Sequence, residues 1–133
     1  MNIDRFLGLL LIDLSVSRQF HTCQKQTGTA LLLFHHIISV ALWWNFLVGV
    51  MNPILHSVVM LVIVGMWFLT IGGEQGCFIT RINNRMCGFE NGAPLSNMQW
   101  YVLGTKMSYH IALTGVLLVI NFHLYRSGKT TLF

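Results

Sequence analysis

The chain has 133 residues, 54% of them apolar and only 9% charged, with net charge +4 and a positive mean hydropathy. A soluble domain carries roughly 25% charged residues, so so few charges cannot clothe a globule of this size in water, and a soluble enzyme is excluded. Intrinsic disorder is excluded too, because Leu, Ile, Val and Phe are abundant. The composition is that of a chain embedded in a bilayer.

Residues 1–21 read as an amphipathic helix lying on the membrane surface, with Ile3, Phe6, Leu7, Leu10 and Leu14 at helical spacing. The apolar run is too short to span and is interrupted by Asp13. A signal peptide would use Arg5 and the small residues at 15–17, but Asp4 and Asp13 bracket a weak core. Between Lys25 and Glu74 lie 48 residues without a formal charge. One spanning helix needs roughly 20 apolar residues, so this stretch holds two, over 29–51 and 54–72. Asn52-Pro53 turns the chain between them, because proline lacks an N–H and restricts the residue before it. Gly72-Gly73 marks the end of the hairpin. A third span covers 107–125 and is closed by Arg126. It extends a helix that starts near Pro94-Leu95-Ser96, where proline and serine suit a first turn. Trp100 and Tyr101 give that extension an interfacial foot within the 73–106 loop. The expected fold is a single all-α integral membrane domain of three transmembrane helices plus the interfacial helix.

With three spans, the N-terminus and the 73–106 loop share one side, and the basic residues divide six to two in favour of that side. The positive-inside rule makes it the cytosolic-equivalent side. The basic residues form no stripe, and nothing supports a nucleic-acid partner.

Polar residues inside spans are expensive and are therefore the functional suspects. They are His35, His36, Ser39 and Asn45 in the first span, His56 and Thr70 in the second, and His110, Thr114, Asn121 and His123 in the third. His35, His36 and His110 come to a similar depth, roughly 5–15 Å in from the loop side, counting 1.5 Å per residue. His56 and His123 lie near the opposite face. Histidines on two helices at each of two levels are what axial ligation of haem b needs. The 13-residue step from His110 to His123 leaves their rings about 140° apart around the axis, which spoils a shared groove. Hydrogen bonding between packed helices is the simpler role. Ala41, Asn45 and Gly49 form a small-residue stripe on the first span, and Ser108, Ala112 and Gly115 form one on the third. Both invite close helix packing, within the chain or with another. A transporter would want a carboxylate inside a span, and there is none.

Cys77 and Cys87 flank nine residues and can close a small disulfide loop in an oxidising compartment, but the orientation above puts them where thiols stay reduced, so free thiols are expected. His21 and Cys23 lie on the same side, but no zinc-type spacing occurs, so no metal site is expected. The loop has no phosphate cradle, acid pair or serine elbow, so no catalytic residue is expected either. The stretch Gly76–Asn84, Gly-Cys-Phe-Ile-Thr followed by three residues and Asn, resembles a Cys-x-Ile/Leu-Thr-x-x-x-Asn box. That box often follows a membrane span in small, uncharacterised multi-pass membrane proteins of large DNA viruses, and similar boxes occur in small bacterial membrane proteins. The resemblance implies a virion membrane protein, in the manner of a minor capsid protein, with no catalytic residues to carry over.

The expected function is that of a non-catalytic structural or assembly subunit, without a cofactor, whose partners are the bilayer and other protein subunits. The alternative is a haem b electron carrier using His35 or His36 with His110, and His56 with His123, or an accessory subunit of a respiratory complex.

Overall fold

The structure is a computed structural model that describes residues 1–69 and 77–133. Thr70, the Gly72-Gly73 end of the second span, Glu74 and the Gly76 that opens the box lie outside the described residues. Among those described, the fold is all-helical: α1 (Ile3–Ser15), α2 (Arg18–Thr22), α3 (Gln26–Trp43), α4 (Asn45–Val48), α5 (Pro53–Leu69), α6 (Phe78–Cys87), α7 (Met98–Leu103) and α8 (Met107–Arg126).

The helix starts follow from short polar side chains. Asn2, Ser17 and Asn97 each accept a hydrogen bond from the backbone N–H three residues on, capping α1, α2 and α7. Pro53 is the first residue of α5, where its missing N–H costs nothing. The expected first span is instead two helices. The chain leaves helical geometry at Trp44 (φ −112°, ψ 16°), and α4 ends at Gly49 in the left-handed region (φ 65°). Asn45 then clamps the turn, accepting from Met51 N at 2.7 Å and donating to Met51 O at 3.2 Å. The expected continuous foot is likewise broken, because Gly104 takes φ 73° between α7 and α8.

Helix α3 is the axis of the assembly. Helix α1 runs antiparallel along it, tied by Asn2 N to Val48 O at one end and by Asp13 to His36 towards the other. Helices α2 and α6 pack on the first half of α3. Helices α5 and α8 form an antiparallel pair, since His56 at the start of α5 meets Asn121 late in α8, and Trp67 meets His110. Leu42, Trp43, Met60, Trp67 and Leu117 knit α3 to this pair, with Trp43 and Trp67 stacked at 5.6 Å between centroids. Among the described residues one helix, α8, is long and apolar enough to cross a membrane; α5 is apolar but shorter.

Two expectations fall here. Residues 1–21 are not one surface helix. Helix α1 stops at Ser15 and turns Phe6, Leu10 and Asp13 inward, with Asp13 wholly buried, while Ile3 and Leu7 stay exposed. The N-terminus also does not share an end with the 73–106 loop. Arg5 reaches the carbonyls of Leu47 and Phe133, and Leu132 N donates to Phe46 O. Both chain termini and the 44–53 turn therefore gather at one end, with α2, α6 and α7 at the other. Moving Arg5 across turns the six-to-two division of basic residues into five to three, too even to orient the chain.

The disulfide joins Cys23 to Cys87, with 5.1 Å between Cα atoms, and Cys77 is free. The expectation of free thiols is corrected for Cys23 and Cys87, and the possible Cys77–Cys87 pairing fails for a geometric reason. Those two residues sit at opposite ends of α6, about 15 Å apart at 1.5 Å per residue, and a disulfide tolerates at most about 7 Å.

Candidate functional site

The interior is unusually polar, and most of it is concentrated where α1, α2, α3 and α7 meet. Asp13, Ser17 and His36 are each fully buried. Asp13 Oδ2 bonds His36 Nδ1 and its Oδ1 accepts from Met98 N at 2.8 Å, while His36 Nε2 lies 2.9 Å from Ser17 Oγ. Nearby, Gln19 donates to Pro94 O at 2.6 Å and accepts from Ser96 N at 2.7 Å. Asn97 donates to Ser39 Oγ at 2.8 Å. These bonds sew the 94–98 segment onto the α1–α3 pair.

The order Asp–His–Ser is that of a serine-hydrolase triad, which no sequence argument had suggested. Its surroundings are wrong for catalysis. Ser17 Oγ already accepts Phe20 N–H as the cap of α2. All three side chains are fully buried and none lines the cavity described below, so the hydroxyl is not open to a substrate. The network is a structural clamp. A fluorophosphonate probe should therefore leave Ser17 unmodified in the folded protein, as read by peptide mass spectrometry; stoichiometric labelling at Ser17 would make it a nucleophile.

The histidines that the haem alternative would pair across helices mostly find other partners, several of them by hydrogen bonds between helices. His110 accepts from Gln99 Nε2 at 2.7 Å through Nδ1 and donates to Gly104 O at 2.8 Å through Nε2. Trp100 packs on its ring at 3.8 Å between centroids. His56 donates through Nε2 to Leu42 O and accepts through Nδ1 from Asn121 at 2.8 Å. His123 is exposed on α8. His36, His56 and His110 thus have both ring nitrogens engaged, which leaves no lone pair for iron, and His56 and His123 do not face one another. The two-level haem arrangement is not formed. Among the described residues, no group of three or more His, Cys, Asp or Glu is placed to hold a metal ion.

The small-residue stripes also fall differently. Ser108, Ala112 and Gly115 are exposed, and a Cβ on Gly115 would meet nothing within 4 Å, so among the described residues nothing covers that stripe. Ala41 is half-buried, Asn45 clamps a turn and Gly49 lies beyond the helix end, where a Cβ would come within 2.7 Å of Thr131. The polar residues of the 77–84 box serve packing within the chain. Thr80 and Asn84 share the buried face of α6, and Asn84 and Asn83 donate to Ala93 O and Gly28 O at 3.0 and 3.1 Å.

Among the described residues, one apolar cavity combines enclosing walls with buried polar groups. A cavity of about 360 Å³ lies between α3, α5 and α7, walled by Trp43, Trp67 and Trp100, with His35, Gln99 and the Cys77 thiol on its lining. His35 Nδ1 and Gln99 Oε1 are buried there without a hydrogen-bond partner. His35 was a sequence suspect; Gln99 and the tryptophan walls were not. No protein-family model matches the chain, and no curated protein or solved structure is significantly similar to it.

Proposed function

We propose that the chain is a multi-pass membrane protein, crossing the bilayer with α3, α5 and α8, and serves as a non-catalytic structural subunit of a larger membrane assembly. One observation carries this: the polarity of the molecule is inverted. Among the described residues, sixteen polar side chains are buried against eleven apolar ones, while α5 exposes Ile54, Leu55, Val58, Leu61, Val62 and Met66 along one face. In water that arrangement wastes the hydrophobic effect, whereas in lipid it keeps the costly polar groups inside, away from the hydrocarbon. Helix α8 adds to the case. Its 20 residues match a hydrocarbon core of about 30 Å, and exposed Tyr109 and Tyr125 sit at its two ends beside Lys106 and Arg126, as interfacial anchors do.

The Cys23–Cys87 disulfide supports an orientation opposite to the one the charges suggested. Such bonds persist on the oxidising side of a membrane or on a virion, so the end bearing α2, α6 and α7 faces that side. The likeness of residues 77–84 to the viral box supports a virion membrane as the setting. The exposed Ser108–Ala112–Gly115 face of α8 is where a partner helix would sit closely.

Two measurements test this. The protein should stay in the membrane pellet through alkaline carbonate extraction, and release into the supernatant would overturn the membrane proposal. Gly115→Leu adds a side chain into open space, so thermal unfolding should not move while the native complex becomes smaller on blue-native electrophoresis. An unchanged complex would remove that face as the assembly surface.

A further inference from the structure

We propose that the cavity between α3, α5 and α7 is a binding site for a neutral, lipid-soluble molecule with a ring-sized apolar body and one hydroxyl group, a phenol or a hydrophobic alcohol. The inference goes beyond the structural role proposed above and borrows from it only the route of entry, through the bilayer.

The hydrogen-bonding arithmetic sets the ligand's polar end. His110 Nε2 lies 2.8 Å from the Gly104 carbonyl, which can only accept, so that nitrogen carries the proton and Nδ1 must accept. The group facing Nδ1 at 2.7 Å is therefore the NH₂ of Gln99, which leaves Gln99 Oε1 as an acceptor with nothing to accept from. Gln99 is only 2% exposed, so water outside the protein cannot repair this. His35, 7% exposed, brings a second unpartnered atom, Nδ1, to the same lining. The neighbouring polar pair, Asn97 and Ser39, is already closed on itself. A hydroxyl lodged between the two residues would answer both orphans, donating to Gln99 Oε1 and accepting from His35 in the tautomer that carries its proton on Nδ1.

The walls set the rest. Among the described residues, no Asp, Glu, Lys or Arg lines the cavity, so a charged ligand would lose its hydration without compensation. Three of the chain's four tryptophans surround the space and offer flat faces to a ring. A volume of about 360 Å³ lies at the small end of ligand pockets, which run from about 300 to 1,000 Å³.

The test uses the full chain in lipid nanodiscs, titrated with para-bromophenol and with bromobenzene, reading quenching of tryptophan by bromine and the rate of Cys77 alkylation. Para-bromophenol should quench saturably, bind at least about tenfold more tightly than bromobenzene, and slow alkylation of Cys77. In His35→Phe, and separately in Gln99→Met, the preference for the hydroxyl should fall to within about twofold while the Cys23–Cys87 bond is retained. Equal half-saturation by the two probes in the wild-type protein, or quenching that only follows partition into empty nanodiscs, overturns the site. So does a preference that survives both substitutions. Carbonate extraction reads membrane insertion alone, so the site and the membrane proposal can fail separately.

Discussion

Asp13→Ala is expected to destabilise the fold by about 3–5 kcal/mol, the range for removing one partner of a buried pair. Asp13 is wholly buried and serves two elements at once, His36 on α3 and the backbone N–H of Met98 at the start of α7. Deleting the carboxylate leaves both donors without an acceptor, in a region enclosed by protein where neither water nor lipid can substitute. His36 in turn holds Ser17, so the loss spreads to the cap of α2. Asp13→Asn keeps an oxygen for Met98 but turns an NH₂ towards His36 or the reverse, and should cost about 1–3 kcal/mol. Chemical unfolding of the purified protein in detergent, followed by circular dichroism, ranks the three. A cost for Asp13→Ala below about 1 kcal/mol would mean that the clamp does not hold α1 in place.

Cys23→Ser should cost about 4 kcal/mol, the chain-entropy value for a cross-link that closes a loop of 64 residues. The bond fastens α6 to the beginning of α3, and the approach is close enough that Gly28 admits no side chain. A Cβ there would lie 2.5 Å from Cys87 Sγ and 2.7 Å from Cys23 Sγ. Gly28→Ala should therefore lower the oxidised fraction, and Cys77→Ser should leave it unchanged, as counted by differential alkylation and mass spectrometry. A bond found between Cys77 and Cys87 would refute the helical α6. In sealed vesicles of known sidedness, a membrane-impermeant phosphine should reduce the Cys23–Cys87 bond from the non-cytosolic side. Reduction from the cytosolic side only would restore the orientation that the charge count suggested.

Several features were legible in one dimension because their cause is local. Pro53 suits the first position of a helix through its own fixed φ and missing N–H, and the run 107–125 became α8 with one residue's difference at its end. Other boundaries moved because a single residue's backbone decided them. Trp44 and Gly104 interrupt stretches whose apolarity runs on through them, and apolarity is all that a hydropathy pattern weighs. Asp13 held a usable signal that was read only as an interruption. An acid in an apolar helix must find a partner, and His36 is among the few side chains in the chain that could serve.

The amino-acid sequence by itself determined that this chain is helical, that it is rich in apolar and poor in charged residues, and that polar side chains would be carried inside its apolar helices. Those properties depend on composition and on period, which are additive along a chain. The tertiary structure alone decided which way α1 turns, that Cys87 bonds Cys23 rather than Cys77, that the histidines bond to carbonyls, amides and a carboxylate rather than to one another, and that His35 and Gln99 meet unpartnered at one cavity. Each of these depends on distance and direction between residues far apart in the chain. A helical period states which residues share a face, but only packing states what that face meets.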